Sequence, residues 1–290
     1  MKSILDYFKK KKLSLYCLVI KMKILNFNLK YFLEQNEKPL VLFIHGFKSS
    51  HKAFAPIVNM PNRDFDIVSI DLPFHGETTL DGPLQQKVDL KFLCEFTAEF
   101  LKQKNLKPAL VVGHSLGGLI ALSLVEKELV DYGLLLAPLN YLYWSSPEMD
   151  KLKRWFIPQN LDDINEMLLA LVSQRHPYFK TYSQSISRIA KAMLLEKDKK
   201  EKEYKNILDD IFSENFAFDF VKKTYNGAKR NFEFLSGEDD LFILKEHIEE
   251  LAKIHEVDYE ILPKTGHAII FERPNEVFNK ISKTLTKLKL

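Results

Sequence analysis

The stretch Ala109-Leu110-Val111-Val112-Gly113-His114-Ser115-Leu116-Gly117-Gly118 decides the fold of this chain. It begins with a short apolar run typical of a buried strand, and the apolar run that follows it, Leu119 to Val125, is typical of a helix. Between the two runs, a single serine has a glycine two residues before it and another two residues after it. Glycine is required where a turn is strained or packs too closely for a side chain. The pattern therefore predicts that Ser115 is a nucleophile held on a sharp strand-to-helix turn.

The composition is that of an ordinary globular protein. The 290 residues are 46% hydrophobic and 28% charged, which suits one α/β domain or one such domain with an insertion. The 42 basic residues are interspersed with 39 acidic ones and are mostly Lys, which argues against a nucleic-acid partner. Cys17 and Cys94 lack the spacing of a disulfide framework or a zinc site, so we expect a reducing, cytoplasmic location.

Residues 1–21 differ from the rest of the chain. Lys9 to Lys12 precede the apolar run Leu13 to Ile20, which is too short to span a bilayer and lacks a following cleavage site. An extension, a start-site artefact and a surface anchor of marginal membrane affinity all remain open. From Met22 to Leu33, apolar and polar residues mostly alternate, as in a half-buried strand. The compact domain is therefore predicted to begin at residue 22.

Six apolar runs with helix-length intervals between them predict a mostly parallel sheet with helices on both faces. They are Leu40 to Ile44, Phe65 to Ile70, Ala109 to Val112, Tyr132 to Leu136, Phe232 to Leu235 and Val257 to Leu262. The interval 140–228 is too long for a single crossover and contains three helix-like pieces, 161–172, 186–195 and 207–216, so it is predicted to be a helical cap. The charge run 196–205 is interpreted as a solvated helix face. The core would then consist of residues 22–139 and 229–290, closed by a helix that starts at Pro274.

A serine hydroxyl needs a base within reach, and the base needs an acid that fixes its tautomer. Asp240 and His267 each follow a predicted strand, in the order serine, acid, histidine expected on such a sheet. Glu238 and Asp239 are adjacent candidates for the acid, and sequence alone does not decide between Asp239 and Asp240. An oxyanion needs two N–H donors, for which the backbones of Leu116 and Phe47 are the candidates. His45, His75 and His114 are interpreted as structural, and no metal or other cofactor is expected.

These motifs together resemble the α/β-hydrolase family over about residues 22–290. The similar segments are His45-Gly46-Phe47, Asp71-Leu72-Pro73-Phe74-His75-Gly76, Gly113 to Gly118, Gly237 to Asp240, and Leu262 to His267 with Glu272 and Pro274. The resemblance implies the α/β-hydrolase fold, with residues 140–228 in the position of the family's cap. Phe74 replaces a glycine of the family pattern and is expected to narrow the entrance of the site.

The resulting hypothesis is a serine esterase or lipase that cleaves a small-molecule carboxylic ester through an acyl-enzyme on Ser115. An acyltransferase, a thioesterase and a carbon-carbon hydrolase would use the same triad, and a ligand-binding protein without turnover is a further alternative. Aromatic residues of the insertion suggest a substrate with an apolar acyl or alcohol group, or else form the insertion's own core. They are Tyr141, Tyr143, Trp144, Trp155, Phe156, Phe212, Phe216 and Phe218. Oligomeric state and exact substrate do not follow from the sequence.

Overall fold

A computed structural model describes residues 18–289, in which nine strands form one sheet in the order β1-β2-β4-β3-β6-β7-β8-β9, with β5 paired to β2. The first two strands and β5 pair antiparallel, and the others run parallel. The mostly parallel sheet predicted from the apolar runs is confirmed. The strands are β1 Leu18–Ile24, β2 Phe27–Leu33, β3 Leu40–Ile44, β4 Asp66–Ile70, β5 Thr79–Leu80, β6 Leu110–His114, β7 Gly133–Leu136, β8 Phe232–Gly237 and β9 Tyr259–Leu262.

Helices cover both faces of this sheet. Their bounds are α1 Ala55–Val58, α2 Leu90–Lys104, α3 Leu116–Glu126, α4 Met149–Phe156, α5 Leu161–Ala170, α6 Phe179–Ile211, α7 Glu214–Phe216, α8 Lys222–Gly227, α9 Lys245–His255, α10 Ile269–Glu272 and α11 Pro274–Lys287. Two 3-10 turns, His51–Phe54 and Leu142–Ser145, and a π-helical turn, Ala217–Val221, complete the described elements.

The central parallel strands are mostly apolar because both faces of the sheet are covered. In β3, for example, Val41 and Phe43 are buried in one apolar cluster, and Leu42 and Ile44 are buried in another. Successive side chains of a strand point to opposite faces, so each parallel strand contributes to two cores. This double burial fixes the register of the strands and the level at which their carboxyl ends emerge.

The alternating segment that begins at Met22 is a hairpin rather than a single strand. Leu25 and Asn26 adopt positive φ angles of 44° and 66° and form the turn between β1 and β2, which pair antiparallel. Because β1 begins at Leu18, the boundary predicted at residue 22 falls inside the hairpin. The turn lacks glycine, which is why the pattern resembled one uninterrupted strand. Residues 1–17, with Lys9 to Lys12 and Cys17, lie outside the described residues.

Between β7 and β8 the described chain is helical and contains no strand, as the sequence predicts. The pieces predicted over 186–195 and 207–216 are, however, largely one helix, α6, and the charge run lies in its middle. Glu and Lys are good helix formers, and the run is supported by ion pairs four residues apart, Lys197 with Glu201 and Lys205 with Asp209. The charged residues therefore continue the helix instead of interrupting it.

Candidate active site

Ser115 lies on a strained turn between β6 and α3. Its φ and ψ angles are 55° and −121°, a conformation that side chains rarely adopt. The backbone of Ser115 is bonded to β7 and to the residues that follow it. The Ser115 N–H donates to the carbonyl of Leu136 at 2.9 Å, and the Ser115 carbonyl accepts from the N–H of Leu139 at 2.9 Å. These bonds fix the serine at the carboxyl edge of the sheet.

The glycines of this turn are required by close packing. A Cβ on Gly117 would lie 2.3 Å from the carbonyl oxygen of Ile44, and a Cβ on Gly113 would lie 2.3 Å from the carbonyl oxygen of Gly117. Both separations are far below van der Waals contact, so α3 packs directly on backbone. The glycine pattern in the sequence thus reflects the approach of helix to strand.

His267 and Asp240 form a buried pair at the ends of β9 and β8. The Nδ1 atom of His267 lies 2.8 Å from Oδ2 of Asp240, and both residues are buried. Oδ1 of Asp240 accepts the backbone N–H groups of Phe242 at 2.8 Å and Ile243 at 2.9 Å. With its Nδ1–H donated to the carboxylate, the imidazole has Nε2 free to accept a proton. The arrangement is that of a general base oriented by an acid.

The neighbouring carboxylates have a different role. Arg175, on the loop between α5 and α6, donates from Nε to Asp239 at 2.8 Å and from an Nη atom to Glu238 at 2.5 Å. The hydrogen bond from Arg175 lowers the pKa of Asp239, and the backbone N–H of Lys264 lowers the pKa of Glu238. Of the three adjacent acids, the structure pairs only Asp240 with His267.

Ser115 and His267 line one cavity of about 520 Å³. Its wall is mainly apolar and includes residues from the catalytic loops and from the segment 140–228. Gly46 brings backbone close to the serine, since a Cβ there would lie 3.1 Å from the Cβ of Ser115. Wall residues include Gly46, Phe47, Trp155, Phe156, Met167, Leu168, Leu171, Phe242 and Ile270.

The two oxyanion candidates lie at this serine. Leu116 is the first residue of α3, so its N–H has no acceptor within the helix. Phe47 follows Gly46 and lines the cavity. The loop is fixed by His45, which donates from Nδ1 to the carbonyl of Gly46 at 2.8 Å and accepts the N–H of Leu72 at Nε2, 3.1 Å away. Burial lowers the pKa of His45 to about 4, which keeps the ring neutral in this role.

His114 directly contacts the loop 263–268, which carries His267 between β9 and α10 and is called the histidine loop. Its Nε2 donates to the backbone carbonyl of His267 at 2.8 Å, and the two ring centroids are 4.9 Å apart. Burial lowers the pKa of His114 to about 3, so this ring too is neutral. The residue before the candidate nucleophile therefore positions the residue that carries the candidate base. The two are far apart in sequence, and no local pattern indicates the contact.

The loop between α5 and α6 is bound to the histidine loop through Glu272. One carboxylate oxygen accepts the N–H of Ser173 at 2.9 Å, and the other accepts the N–H of Gly266 at 2.8 Å. Ala268 adds a hydrogen bond from its N–H to the carbonyl of Leu171 at 2.8 Å. Burial raises the pKa of Glu272 to about 6, against the two N–H donors that lower it. Of the two neighbours of His267 in the chain, Ala268 is thus bonded directly to the loop between α5 and α6, and Gly266 is linked to that loop through Glu272.

Some aromatic residues of the insertion line the cavity and others belong to the core, so neither interpretation holds for all of them. Trp155 and Phe156 lie in the cavity wall, whereas Tyr141 and Tyr143 are buried in the core cluster and Phe218 is 44% exposed. The other three of the eight lie against further residues: Phe212 packs on Tyr143 and Phe156, Phe216 packs on Phe220, and Trp144 lies against the core.

The narrowing of the entrance expected from Phe74 is not seen. Its ring packs edge-on against Phe27 with centroids 5.5 Å apart, and it lies against the core cluster rather than in the cavity wall. Its φ angle is 66°, a left-handed conformation that explains why the family pattern has glycine here. Its carbonyl accepts from Lys200 at 2.8 Å and Tyr204 at 3.1 Å, both on α6.

The described residues contain neither a cluster of metal ligands nor a helix suited to crossing a membrane. Within residues 18–289, no three or more His, Cys, Asp or Glu side chains are grouped so that they could hold a metal ion. Among the helices of the same residues, none is both long enough and apolar enough to cross a membrane.

Known proteins resemble this chain in sequence and in structure. A family model for the alpha/beta hydrolase fold matches residues 39–274. A relative from Mycoplasma pneumoniae, named "Putative esterase/lipase 2", is 24% identical over 257 residues, which are 86% of this chain and 89% of the relative. The crystal structure of a bacterial membrane phospholipase A has a TM-score of 0.72 at 17% identity, covering 94% of this chain and 87% of that one. Naproxen esterase from Bacillus subtilis has a TM-score of 0.68 at 13% identity, covering 94% and 92%.

Proposed function

Since the chain belongs to the α/β-hydrolase family, with relatives named as esterases or lipases, we propose that it hydrolyses carboxylic esters through an acyl-enzyme on Ser115. The observation that carries the proposal is the buried pair of His267 and Asp240, 2.8 Å apart, of which His267 lines the same mainly apolar cavity as Ser115. A base with Nε2 free, beside a serine on a strained turn, is the arrangement that acyl transfer needs.

In the proposed reaction, Ser115 Oγ attacks the acyl carbon while His267 Nε2 takes the hydroxyl proton. The carbonyl oxygen becomes an oxyanion, which the backbone N–H groups of Phe47 and Leu116 stabilise. The tetrahedral intermediate then collapses, the bond to the alkoxy oxygen breaks, and His267 returns the proton to the departing alcohol. Water, deprotonated by the same imidazole, then attacks the acyl carbon. The bond to Ser115 Oγ breaks, His267 returns the proton to Ser115, and the acid is released. Asp240 keeps the proton of His267 on Nδ1 and stabilises the imidazolium that forms.

The substrate class follows from the cavity. Trp155, Phe156, Met167 and Leu168 come from the segment 140–228, which we propose as a cap over the core formed by residues 22–139 and 229–290. Burial of apolar surface against these side chains favours an ester with an apolar acyl or alcohol group. The proposal includes a small-molecule partner and requires no cofactor.

We also propose a cytoplasmic location. Cys94 is a buried free thiol, and burial raises its pKa to about 12, which leaves it protonated and unreactive. Such a cysteine suits a reducing compartment. Fractionation of cells that express the full chain would test this, and recovery outside the cytoplasmic fraction would contradict it.

The activity is tested with p-nitrophenyl esters from acetate to palmitate, using the wild type and Ser115→Ala side by side. We expect turnover by the wild type and a loss of about 10⁴-fold or more in the variant. Thermal unfolding of both proteins should agree closely, which separates a catalytic loss from a folding defect. No turnover on any ester, or turnover that Ser115→Ala retains, would contradict the proposed function.

A further inference from the structure

A second cavity adjoins the one that contains Ser115. It has a volume of about 290 Å³ and shares four wall residues with the first, Lys48, Phe156, Ile189 and Met193. The remaining wall is largely apolar and comes from α5, α6 and the segment between α4 and α5. The shared residues place the two cavities side by side, so a substrate longer than the first cavity can extend into the second.

Lys48 lies at the junction of the two cavities and directly follows the oxyanion candidate Phe47. Its φ angle is 56°, so a non-glycine residue is held here in the left-handed conformation. Its Nζ donates to the backbone carbonyl of Phe156 at 2.8 Å and lies 5.4 Å from the centroid of the Phe47 ring. The ammonium group is therefore fixed beside the site of acyl transfer.

The charge of Lys48 is not neutralised by direct contact with a carboxylate among the described residues. The nearest acid that acts on it is Glu201, which pairs instead with Lys197 at 3.2 Å. Burial lowers the pKa of Lys48 to about 8, and the charge of Glu201 opposes this. An ammonium has three N–H donors, and one of them is used on Phe156. Lys48 is partly buried, and a cation that is partly withdrawn from water is stabilised by an anion.

The other cations of the second cavity are already paired. Lys200 contacts Glu203 at 2.8 Å and the carbonyl of Phe74 at 2.8 Å. Lys197 is held by Glu201, as above, and Glu196 lies at the exposed end of the wall. Lys48 is thus the cation of this wall that has a hydrogen bond but no ion pair.

We propose that Lys48 binds a carboxylate of the substrate, so that the enzyme prefers esters with an apolar body and a second, anionic group. The inference rests on the proposed function and narrows its substrate class. The apolar part lies against Phe156, Ile189 and Met193, and the carboxylate accepts hydrogen bonds from Lys48 Nζ. The anionic group belongs either to the acid or to the alcohol of the ester.

The test compares matched pairs of esters on the full chain. In one pair the acyl group ends in a carboxylate, as in p-nitrophenyl hydrogen suberate, and is compared with the neutral p-nitrophenyl nonanoate. In the other pair the alcohol carries the charge, as in the butyrate ester of para-hydroxybenzoate, compared with the butyrate of its methyl ester. The measured quantity is the ratio of kcat/KM for the anionic and the neutral member, which removes any effect that is common to both.

In at least one pair we expect the ratio to fall about tenfold in Lys48→Met, the loss of one charge-assisted hydrogen bond, and to be largely kept in Lys48→Arg. The control is Lys205→Met, which removes an equal charge from a lysine that pairs with Asp209 at 2.7 Å, is mostly exposed and lines neither cavity. Its ratio should change less than about twofold, because an exposed ion pair contributes little.

The outcomes separate the two proposals. If the esters are hydrolysed with a requirement for Ser115 but Lys48→Met lowers both members of each pair alike, Lys48 has only a structural role and this inference is wrong. An equal effect of Lys205→Met would also overturn it, since the general charge of the protein would then explain the ratio. If the wild type hydrolyses no ester at all, the proposed function itself fails.

Discussion

Asp240→Asn tests the assignment of the triad acid, and its effect can be worked out from the hydrogen bonds around the carboxylate. Oδ1 of Asp240 accepts two backbone N–H groups, from Phe242 and Ile243, and Oδ2 faces Nδ1 of His267. In the asparagine, the amide oxygen must stay against the two N–H donors. The opposite orientation would oppose an NH₂ to both and leave buried donors unpaired, at about 1–3 kcal/mol each.

The amide NH₂ therefore faces His267. Its hydrogen requires Nδ1 to be an acceptor, which puts the imidazole proton on Nε2, where the proton of Ser115 has to be received. The base then has the wrong tautomer although its position is unchanged. We expect kcat to fall by about 10⁴-fold, equivalent to about 5 kcal/mol of transition-state stabilisation.

The matched control is Asp239→Asn, one residue earlier and with the same change of charge. Asp239 accepts from Arg175 and from the Ser173 hydroxyl, and an asparagine keeps an oxygen for these donors. Arg175 is half-exposed, so the lost ion pair contributes less than about 1 kcal/mol. We expect kcat/KM to stay within about threefold of the wild type.

The assay is hydrolysis of p-nitrophenyl butyrate by both variants, with Ser115→Ala as the background rate. Thermal unfolding checks that each variant is folded. If Asp240→Asn stays within tenfold of the wild type, or if Asp239→Asn loses as much, the assignment of Asp240 as the acid is refuted.

Two further predictions concern the packing and the tethers of the site. Gly117→Ala places a Cβ 2.3 Å from the Ile44 carbonyl oxygen and should destabilise the fold by about 3 kcal/mol or more, whereas Gly133→Ala, whose nearest neighbour would be Val125 at 3.4 Å, should change stability by less than about 1 kcal/mol. Urea unfolding measures both, and equal effects would contradict the close approach of α3 to β3. For Glu272 the folded pKa is raised from its ordinary 4.5 to about 6, so the stability that its neutral form contributes is fully present below pH 4.5 and is lost as the pH rises through 6. The free energy of unfolding of the wild type minus that of Glu272→Gln should therefore fall by about 1 kcal/mol across this range, and a difference that does not vary with pH would show that Glu272 does not titrate there.

The strands and the order of the catalytic loops could be predicted because each depends on local pattern. A buried parallel strand has to be apolar throughout, and the residue after it emerges at the same edge of the sheet as its neighbours. Ser115, Asp240 and His267 each follow such a strand, so their proximity was predictable. The hairpin at Leu25 and Asn26 was not, because its turn uses non-glycine residues at positive φ.

The choice between Asp239 and Asp240 could not be made from the sequence, because the deciding partners are distant. Arg175 donates a hydrogen bond to Asp239, although the two residues are 64 positions apart in the sequence. The direction of each carboxylate depends on the loop backbone, where Phe242 and Ile243 donate to Asp240. Asp239 and Asp240 are adjacent and identical in chemistry, so only their hydrogen-bond partners in the fold distinguish them.

The contacts of the insertion with the catalytic loops add a constraint that goes beyond covering the cavity. Glu272 accepts the N–H groups of both Ser173 and Gly266, and Leu171 accepts the N–H of Ala268. One neighbour of His267 is therefore bonded directly to the loop between α5 and α6, and the other is linked to it through Glu272. A displacement of that loop would shift the backbone of the base and, through Arg175, that of the acid loop as well. Since hydrogen bonds weaken steeply as their angle departs from linear, a small shift of this backbone should slow the proposed proton transfer from Ser115 to His267. The loop between α5 and α6 and the proposed catalytic pair of His267 and Asp240 are therefore linked through hydrogen bonds in this fold.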